Sequence, residues 1–186
     1  MSNEEYRPPH RLQTRRLTLR PSCVEDAGAI FETYATDPEV VRYMGWRPHQ
    51  IPADTAAYLE RCDAKREAGT DFAFVIENTM DRGLLGVIDV HLTRQGGARM
   101  VSFGYVIRRD RWGEGIASEA LGALVDHALD HPTIFRTHAV CDLDNPASAR
   151  VMEKAGMVRE GVLRRYFLHP NVSDEPRDCI VRAKVR

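Results

Sequence analysis

The chain has 186 residues, enough for one hydrophobic core and little more. With 43% apolar and 28% charged residues it reads as a globular domain, not as a disordered segment. Lysine and arginine number 26 against 27 acidic residues, so no global charge points to nucleic acid or a membrane surface, and neither is expected as a partner.

Cys23, Cys62, Cys141 and Cys179 stand far apart, in no zinc or redox spacing. No metal is therefore expected, and the thiols read as free in a reducing cytoplasm. No apolar run approaches the ~20 residues that would cross a bilayer. The polar start Met1-Ser2-Asn3-Glu4-Glu5 is wrong for a secretory signal.

Residues 1–13, with Pro8 and Pro9, read as an arm, and residues 14–186 as a single domain. Leu17-Thr18-Leu19 alternates as a short strand does, and Pro21 ends it. Ser22 is placed to cap a helix in which Val24, Ala27, Ile30, Phe31 and Tyr34 share a face. Asp37-Pro38 opens a second short helix with Val40, Val41 and Met44 on one side, followed by the loop Gly45-Trp46-Arg47-Pro48-His49. A third helix is expected over 54–67, capped by Asp54 and stopped near Gly69.

Three strands follow, Phe72–Glu77, Leu84–Leu92 and Met100–Ile107, joined by the turns Asp81-Arg82-Gly83 and Gln95-Gly96-Gly97. A helix from Ala117 to Leu129 lines up Ala117, Leu121, Leu124, Val125 and Ala128, and His131-Pro132 ends it. Ile134–Cys141 reads as a buried strand. The next helix carries the strongest local signals, with Asn145 as N-cap, Pro146 at the first position and Gly156 as terminator. Strands near Met157–Phe167 and Cys179–Val185 close the chain. This order predicts one mixed sheet with helices on both faces.

Gly113-Glu114-Gly115 joins a strand to a helix, which makes an anion site. First-turn N–H groups have no partner within the helix, the peptide dipoles add positive charge, and glycine lets a phosphate approach. Arg108, Arg109 and Arg111 stand beside it. A plain strand-to-helix turn with surface arginines is the bland alternative. A dinucleotide site is the chemical competitor, but Ser118 holds the place of its third glycine and the turn comes late in the chain.

At these residues the chain resembles the GNAT N-acetyltransferases, and among them the Rim-type branch that includes ribosomal-protein N-terminal acetyltransferases. The resemblance runs from about residue 14 to 185. It rests on Thr14-Arg15-Arg16-Leu17-Thr18-Leu19-Arg20, Phe103-Gly104-Tyr105-Val106-Ile107 and Trp112-Gly113-Glu114-Gly115-Ile116-Ala117-Ser118-Glu119-Ala120. The run from Asn145 to Met157 and the pair Glu160-Gly161 complete it. Trp112 stands where the general pattern has Gln or Arg, as it often does in the Rim-type branch.

The resemblance implies an α/β (α+β) GNAT fold: one mixed, mostly antiparallel central sheet of about seven strands, splayed between the fourth and fifth, with helices on both faces. It implies acetyl-CoA as acetyl donor, with direct transfer to a primary amine. The pyrophosphate is then expected on Arg111, Trp112, Gly113, Glu114, Gly115, Ile116 and Ala117. The pantetheine arm is expected between Met100–Ile107 and Ile134–Cys141, against the backbone of Val106, Ile107 and Arg108 and the side chain of Asn145, which is also an N-cap.

Many relatives donate a proton to the leaving thiolate from a tyrosine, but Met152 fills that place here. Ser148 lies one turn earlier on the same face, and the resemblance to Rim-type relatives, in which a serine here serves as the acid, makes it the expected catalytic acid, or else a hydroxyl serving the helix start. The glutamate many relatives carry as base is replaced by Ser102. Asp89 and His91 on the third strand, His138 on the fifth, or a water chain are the remaining candidates. Acceptor binding is expected from Tyr43, Trp46, Arg47 and His49 on one side, Tyr166 and Phe167 on the other, and His91 below. The acceptor is a protein N-terminus or a small amine, and a homodimer is open. The missing tyrosine and glutamate leave a second reading, a catalytically poor acetyl-CoA-binding sensor module.

Overall fold

Alternating and concentrated apolar stretches place eight strands in one sheet. In a computed structural model, which describes residues 5–186, they are β1 (Leu12–Gln13), β2 (Leu17–Pro21), β3 (Asp71–Asn78), β4 (Leu84–Gln95), β5 (Ala98–Ile107), β6 (Arg136–Asp142), β7 (Val158–Phe167) and β8 (Arg177–Val185). Met1 to Glu4, the most polar part of the expected arm, lie outside the described residues. The spatial order is β1-β2-β3-β4-β5-β6-β8-β7, antiparallel throughout except for β5 with β6. The strand beyond the expected seven is β1, whose Leu12 and Gln13 pair with Leu19 and Thr18. Two residues are too few to carry a hydrophobic period. Nearby, Tyr6 is buried in the core.

The helices are α1 (Ala27–Ile30), α2 (Pro52–Glu67), α3 (Ile116–Asp130) and α4 (Pro146–Lys154). A 3-10 turn, Val24–Asp26, leads into α1, and a wider π-type turn, Phe31–Ala35, follows it. Ser22 does not cap this segment. Its hydroxyl is buried without a partner among the described residues, and Asp26 reaches back to accept from the N–H of Cys23 at 2.9 Å. The helix expected from Asp37 is absent: separate turns, closed by Val41 N–H to Asp37 O and Met44 N–H to Val41 O, bury Val40 and Val41 without a continuous ladder. α2 begins at Pro52, and Asp54 accepts from Gln50 and Ile51 N–H from inside the first turn. No helix among the described residues is long and apolar enough to cross a membrane.

The helices cover opposite faces of the sheet. On one, α3 packs Leu121, Leu124 and Val125, fully buried, against Phe103, Ile107 and the other core side chains. Each such leucine contributes about 2 kcal/mol by leaving water. On the other face, Ile30, Tyr34, Leu59 and Cys62 from the α1–α2 side pack on Ala73, Val75, Val87 and Val106. All four cysteines are free.

The expected splay lies between β5 and β6. These strands pair only from Met100–Arg136 to Phe103–Ala139, and then separate.

Candidate active site

In an antiparallel pair, successive residues turn their main-chain groups alternately toward and away from the partner strand. Arg108 donates its N–H to Leu85 O at 2.9 Å, so β5 residues two and four positions back also turn toward β4. The Val106 carbonyl does: it closely approaches the place a Cβ on Gly86 of β4 would take. The main chain of Tyr105 and Ile107 therefore faces the gap, beyond the last β5–β6 pair. Of the three expected backbone contacts, Ile107 alone presents its main chain there, because Val106 and Arg108 are bound up with β4. The Ile107 carbonyl is already taken by the indole N–H of Trp112 at 2.8 Å. Trp112 thus braces the end of β5 while remaining half-exposed.

The strand ends in a 3-10 turn, Arg109–Arg111, and the chain then passes through Gly113 (φ +84°) and Gly115 (φ +77°) into α3. Left-handed backbone at both positions requires glycine, and nothing lies within 4 Å of a Cβ built on Gly113. No side chain caps α3 at Gly115, and its first ladder bond is Glu119 N–H to Gly115 O. The N–H groups of Ile116, Ala117 and Ser118 have no partner within the helix.

Arg16 reaches this turn, donating to Glu114 O at 3.0 Å and to the Glu119 carboxylate at 2.7 Å. Thr14 Oγ1 and Arg16 N–H also donate to Glu119, so the start of β2 is fastened to α3. Burial alone would raise the Glu119 carboxyl, but these donors hold it below the usual range. Arg111 pairs with Glu114 at 3.3 Å, whereas Arg108 turns toward Asp110 and Leu84 O. Arg16 was missed in the sequence because its partners lie about a hundred residues away.

Across the gap, Asn145 Oδ1 accepts from Ser148 N–H at 3.1 Å, the expected N-cap. The Ser148 hydroxyl serves no first-turn N–H. It lies 2.8 Å from Tyr105 Oη, and Tyr105 also donates to Ser148 O at 3.1 Å. Met152 is fully buried in the core. Ser148 and Tyr105 therefore share the α3–α4 side of the gap. Burial pushes the Tyr105 phenol far above its ordinary pKa, with Ser148 opposing, so it stays protonated.

The base candidates occupy the opposite side. Asp89 pairs in register with Gly104, His91 with Ser102, and Ser102 with His138, so all share one sheet face. His91 is bonded to Asp71. The His138 Nδ1 is buried without a partner among the described residues, and burial followed by the Arg136 charge lowers its pKa.

The loops expected to flank the acceptor do meet. Asn171 Nδ2 donates to Val41 O and Trp46 O at 2.8 and 2.7 Å, and Tyr43 Oη donates to Asp144 O at 2.8 Å. Trp46 stacks near His49, with ring centroids 4.8 Å apart. Phe167 lies against Gly45 and 5.0 Å from the His169 ring. Tyr166 is half-exposed and makes no hydrogen bond or ring contact among the described residues. Arg47 reaches only Asp174, at 3.9 Å.

Beneath this clamp Asp142 is fully buried and accepts from Arg177 Nε at 2.5 Å and Asp144 N–H at 2.8 Å. Burial would push its carboxyl up, but Arg177 and the Asp144 N–H outweigh it and hold the pKa down. A depressed folded-state carboxylate stabilises above the unfolded value, about 3.9, and loses that contribution as pH falls through the folded pKa. Arg177→Met should lower the melting temperature at pH 7, because it leaves the buried Asp142 carboxylate under-satisfied. Thermal melts should also show a shallower loss of stability below pH 4 than in the parent. Unchanged melts at both pH values would show that this cluster holds nothing.

The family model described as an acetyltransferase (GNAT) domain matches residues 16–158. YoaA, an uncharacterized N-acetyltransferase of Bacillus subtilis, is 33% identical over 156 residues, covering 84% of this chain and 87% of that protein. The [ribosomal protein uS5]-alanine N-acetyltransferase of Escherichia coli is 25% identical over 95% of this chain and 91% of its own length. The microcin C7 self-immunity acetyltransferase MccE, solved in complex with acetyl-CoA and AMP, shares the fold with a TM-score of 0.82 at 19% identity, over 93% of this chain and 94% of that one. With Rim-type enzymes among its relatives, this chain belongs to the GNAT family and is an acetyl-CoA-dependent N-acetyltransferase, an acyltransferase.

Proposed function

We propose that the chain transfers acetyl directly from acetyl-CoA to a primary amine, with the N-terminus of a protein or peptide as favoured acceptor and a small-molecule amine as the other. One observation supports this above the rest: the uncapped start of α3, the unpaired stretch of β5 and the Ser148 hydroxyl border a single gap. In this reading the N–H groups of Ile116, Ala117 and Ser118, with Arg16 and Arg111, hold the pyrophosphate. The main chain of Tyr105 and Ile107 and the free amide N–H2 of Asn145 orient the pantetheine arm. A β5 N–H in the gap polarises the thioester carbonyl.

The acceptor enters from the other face, between the loop of Tyr43 and Trp46 and the segment of Phe167, and attacks as the neutral amine. The C–N bond forms, the C–S bond breaks, and Ser148 protonates the thiolate. The enzyme works in a reducing cytoplasm, where its four thiols stay free.

Thiol release from acetyl-CoA, measured with a panel of peptides and small amines, tests this. Peptides with a free N-terminus should raise release at least tenfold over background, and mass spectrometry should place the acetyl group on the α-amine. Acetyl-CoA binding without stimulation by any amine would sink the transfer reading.

A further inference from the structure

The sheet face under α1 and α2 carries a carboxylate that the fold leaves unused. Asp89 sits in the middle of β4, paired in register with Gly104 of β5 and Ala73 of β3. Neither neighbour has a polar side chain. Asp89 makes no hydrogen bond or ion pair with a side chain among the described residues, yet it is only half-buried. The other acid on this face, Asp71, is bonded to His91 and lies 3.9 Å from Lys65.

Asp89 lies within electrostatic reach of Tyr34, Tyr58 and Cys62 from the helical side, and of His91, Asp71 and Lys65 from the strands and the end of α2. Among these groups its side chain remains half-buried. A row of rings runs from the clamped loop to Tyr58. Tyr58 is 6.3 Å from His49, and His49 is 4.8 Å from Trp46 in the clamped loop. Such ring faces favour a cation.

Asp89 also adjoins the gap, opposite Gly104. Gly104 follows directly after Phe103, where β5 stops pairing with β6, and it has no side chain to block passage between the two. A carboxylate so placed is costly unless a cation completes it. Burial pushes its pKa up to about 6, His91 and Lys65 pull it down and Asp71 raises it, so it is mostly ionised at neutral pH.

We propose that Asp89 is the ammonium site for the acceptor, binding the cationic amine and taking a proton from it before attack. The inference rests on the transfer reading above. One proton of the ammonium passes to Asp89 and on to solvent, and the lone pair so freed forms the C–N bond. A second proton leaves the nitrogen as the amide forms, and Ser148 supplies the one taken by the thiolate and is reprotonated from solvent. The site also selects. A free amino acid would bring its own carboxylate beside Asp89 and Asp71, where like charges repel, whereas a peptide N-terminus is followed by a neutral amide. Peptide N-termini are therefore accepted over free amino acids.

Calorimetry in the presence of CoA tests this with an alanyl peptide amide, its N-acetylated form and free alanine. The free-amine peptide should bind the parent at least tenfold more tightly than either of the others. Asp89→Asn should weaken its binding at least tenfold and leave the CoA affinity unchanged. In turnover, kcat/KM for the peptide should fall about a hundredfold, with loss of the acid limb of the pH profile. If Asp89→Asn does not fold, Tyr34→Phe carries the test, with peptide binding at least threefold weaker. Peptide binding unaltered by these variants, or free alanine binding as well as the peptide, overturns the Asp89 site while transfer stands. Asp89-dependent binding without thiol release in the parent would instead keep the Asp89 site and remove the transfer reading.

Discussion

Gly115→Val should lower the affinity for acetyl-CoA at least a hundredfold, a loss of about 2.7 kcal/mol. Gly115 holds φ at +77° immediately before α3, a conformation that a β-branched residue adopts only under strain of about 1–3 kcal/mol. The turn relieves that strain by rotating, and rotation re-aims the N–H groups of Ile116, Ala117 and Ser118 that no side chain caps. Branching at Cβ also pushes toward Arg16, whose Nη2 would lie 3.7 Å from an unbranched Cβ there. Affinity is therefore lost twice, through donor direction and through the guanidinium. Gly113→Ala should cost less, about tenfold, since open space surrounds that position. Titration calorimetry with CoA, run well below the melting temperature of each variant, measures both. An unchanged dissociation constant in folded Gly115→Val would place the pyrophosphate elsewhere.

The parts of this site that the sequence makes legible are those encoded locally. Asn145, Pro146 and Gly156 mark both ends of α4 within a dozen residues, and the cap bond to Ser148 N–H follows from that spacing. The two glycines before α3 are legible for the same reason. What is hidden depends on packing between distant segments. Tyr105 is plain within Phe103-Gly104-Tyr105, but its bond to Ser148 joins residues 43 apart. Arg16 meets Glu114 and Glu119 across 98 and 103 positions.

Other differences have local causes that composition disguises. Val40, Val41 and Met44 imitate a helical stripe because turns can bury the same side of the chain. Phe167 rather than Tyr166 meets the acceptor loop because β7 is irregular between Leu163 and Phe167, with Arg165 at φ +47°. A bulge of this kind resets which residues face inward, and no period of two survives it.

Ser148→Ala should lower kcat about a hundredfold while the acetyl-CoA dissociation constant stays within twofold, because the cap to Asn145 uses the Ser148 N–H and not its hydroxyl. Tyr105→Phe should lower kcat about tenfold, and the double variant should be no slower than Ser148→Ala. The expected failure of additivity follows from the proton count. Tyr105 has one proton and two acceptors within reach, the Ser148 carbonyl and hydroxyl oxygens. While it donates to the carbonyl, the Ser148 hydroxyl can donate back to it. In the proposed transfer, where Ser148 gives its proton to the thiolate, the serine oxygen becomes the stronger acceptor and the phenol swings to donate there. Kept protonated by burial, Tyr105 would stabilise that oxygen without giving up its proton. Without Ser148 it has nothing to stabilise, so its removal adds no further loss. Steady-state kinetics on the four proteins of this cycle, at saturating acetyl-CoA, measure the coupling. Additive losses would make the two hydroxyls independent, and parental kcat in Ser148→Ala would reduce Ser148 to a residue of the helix start.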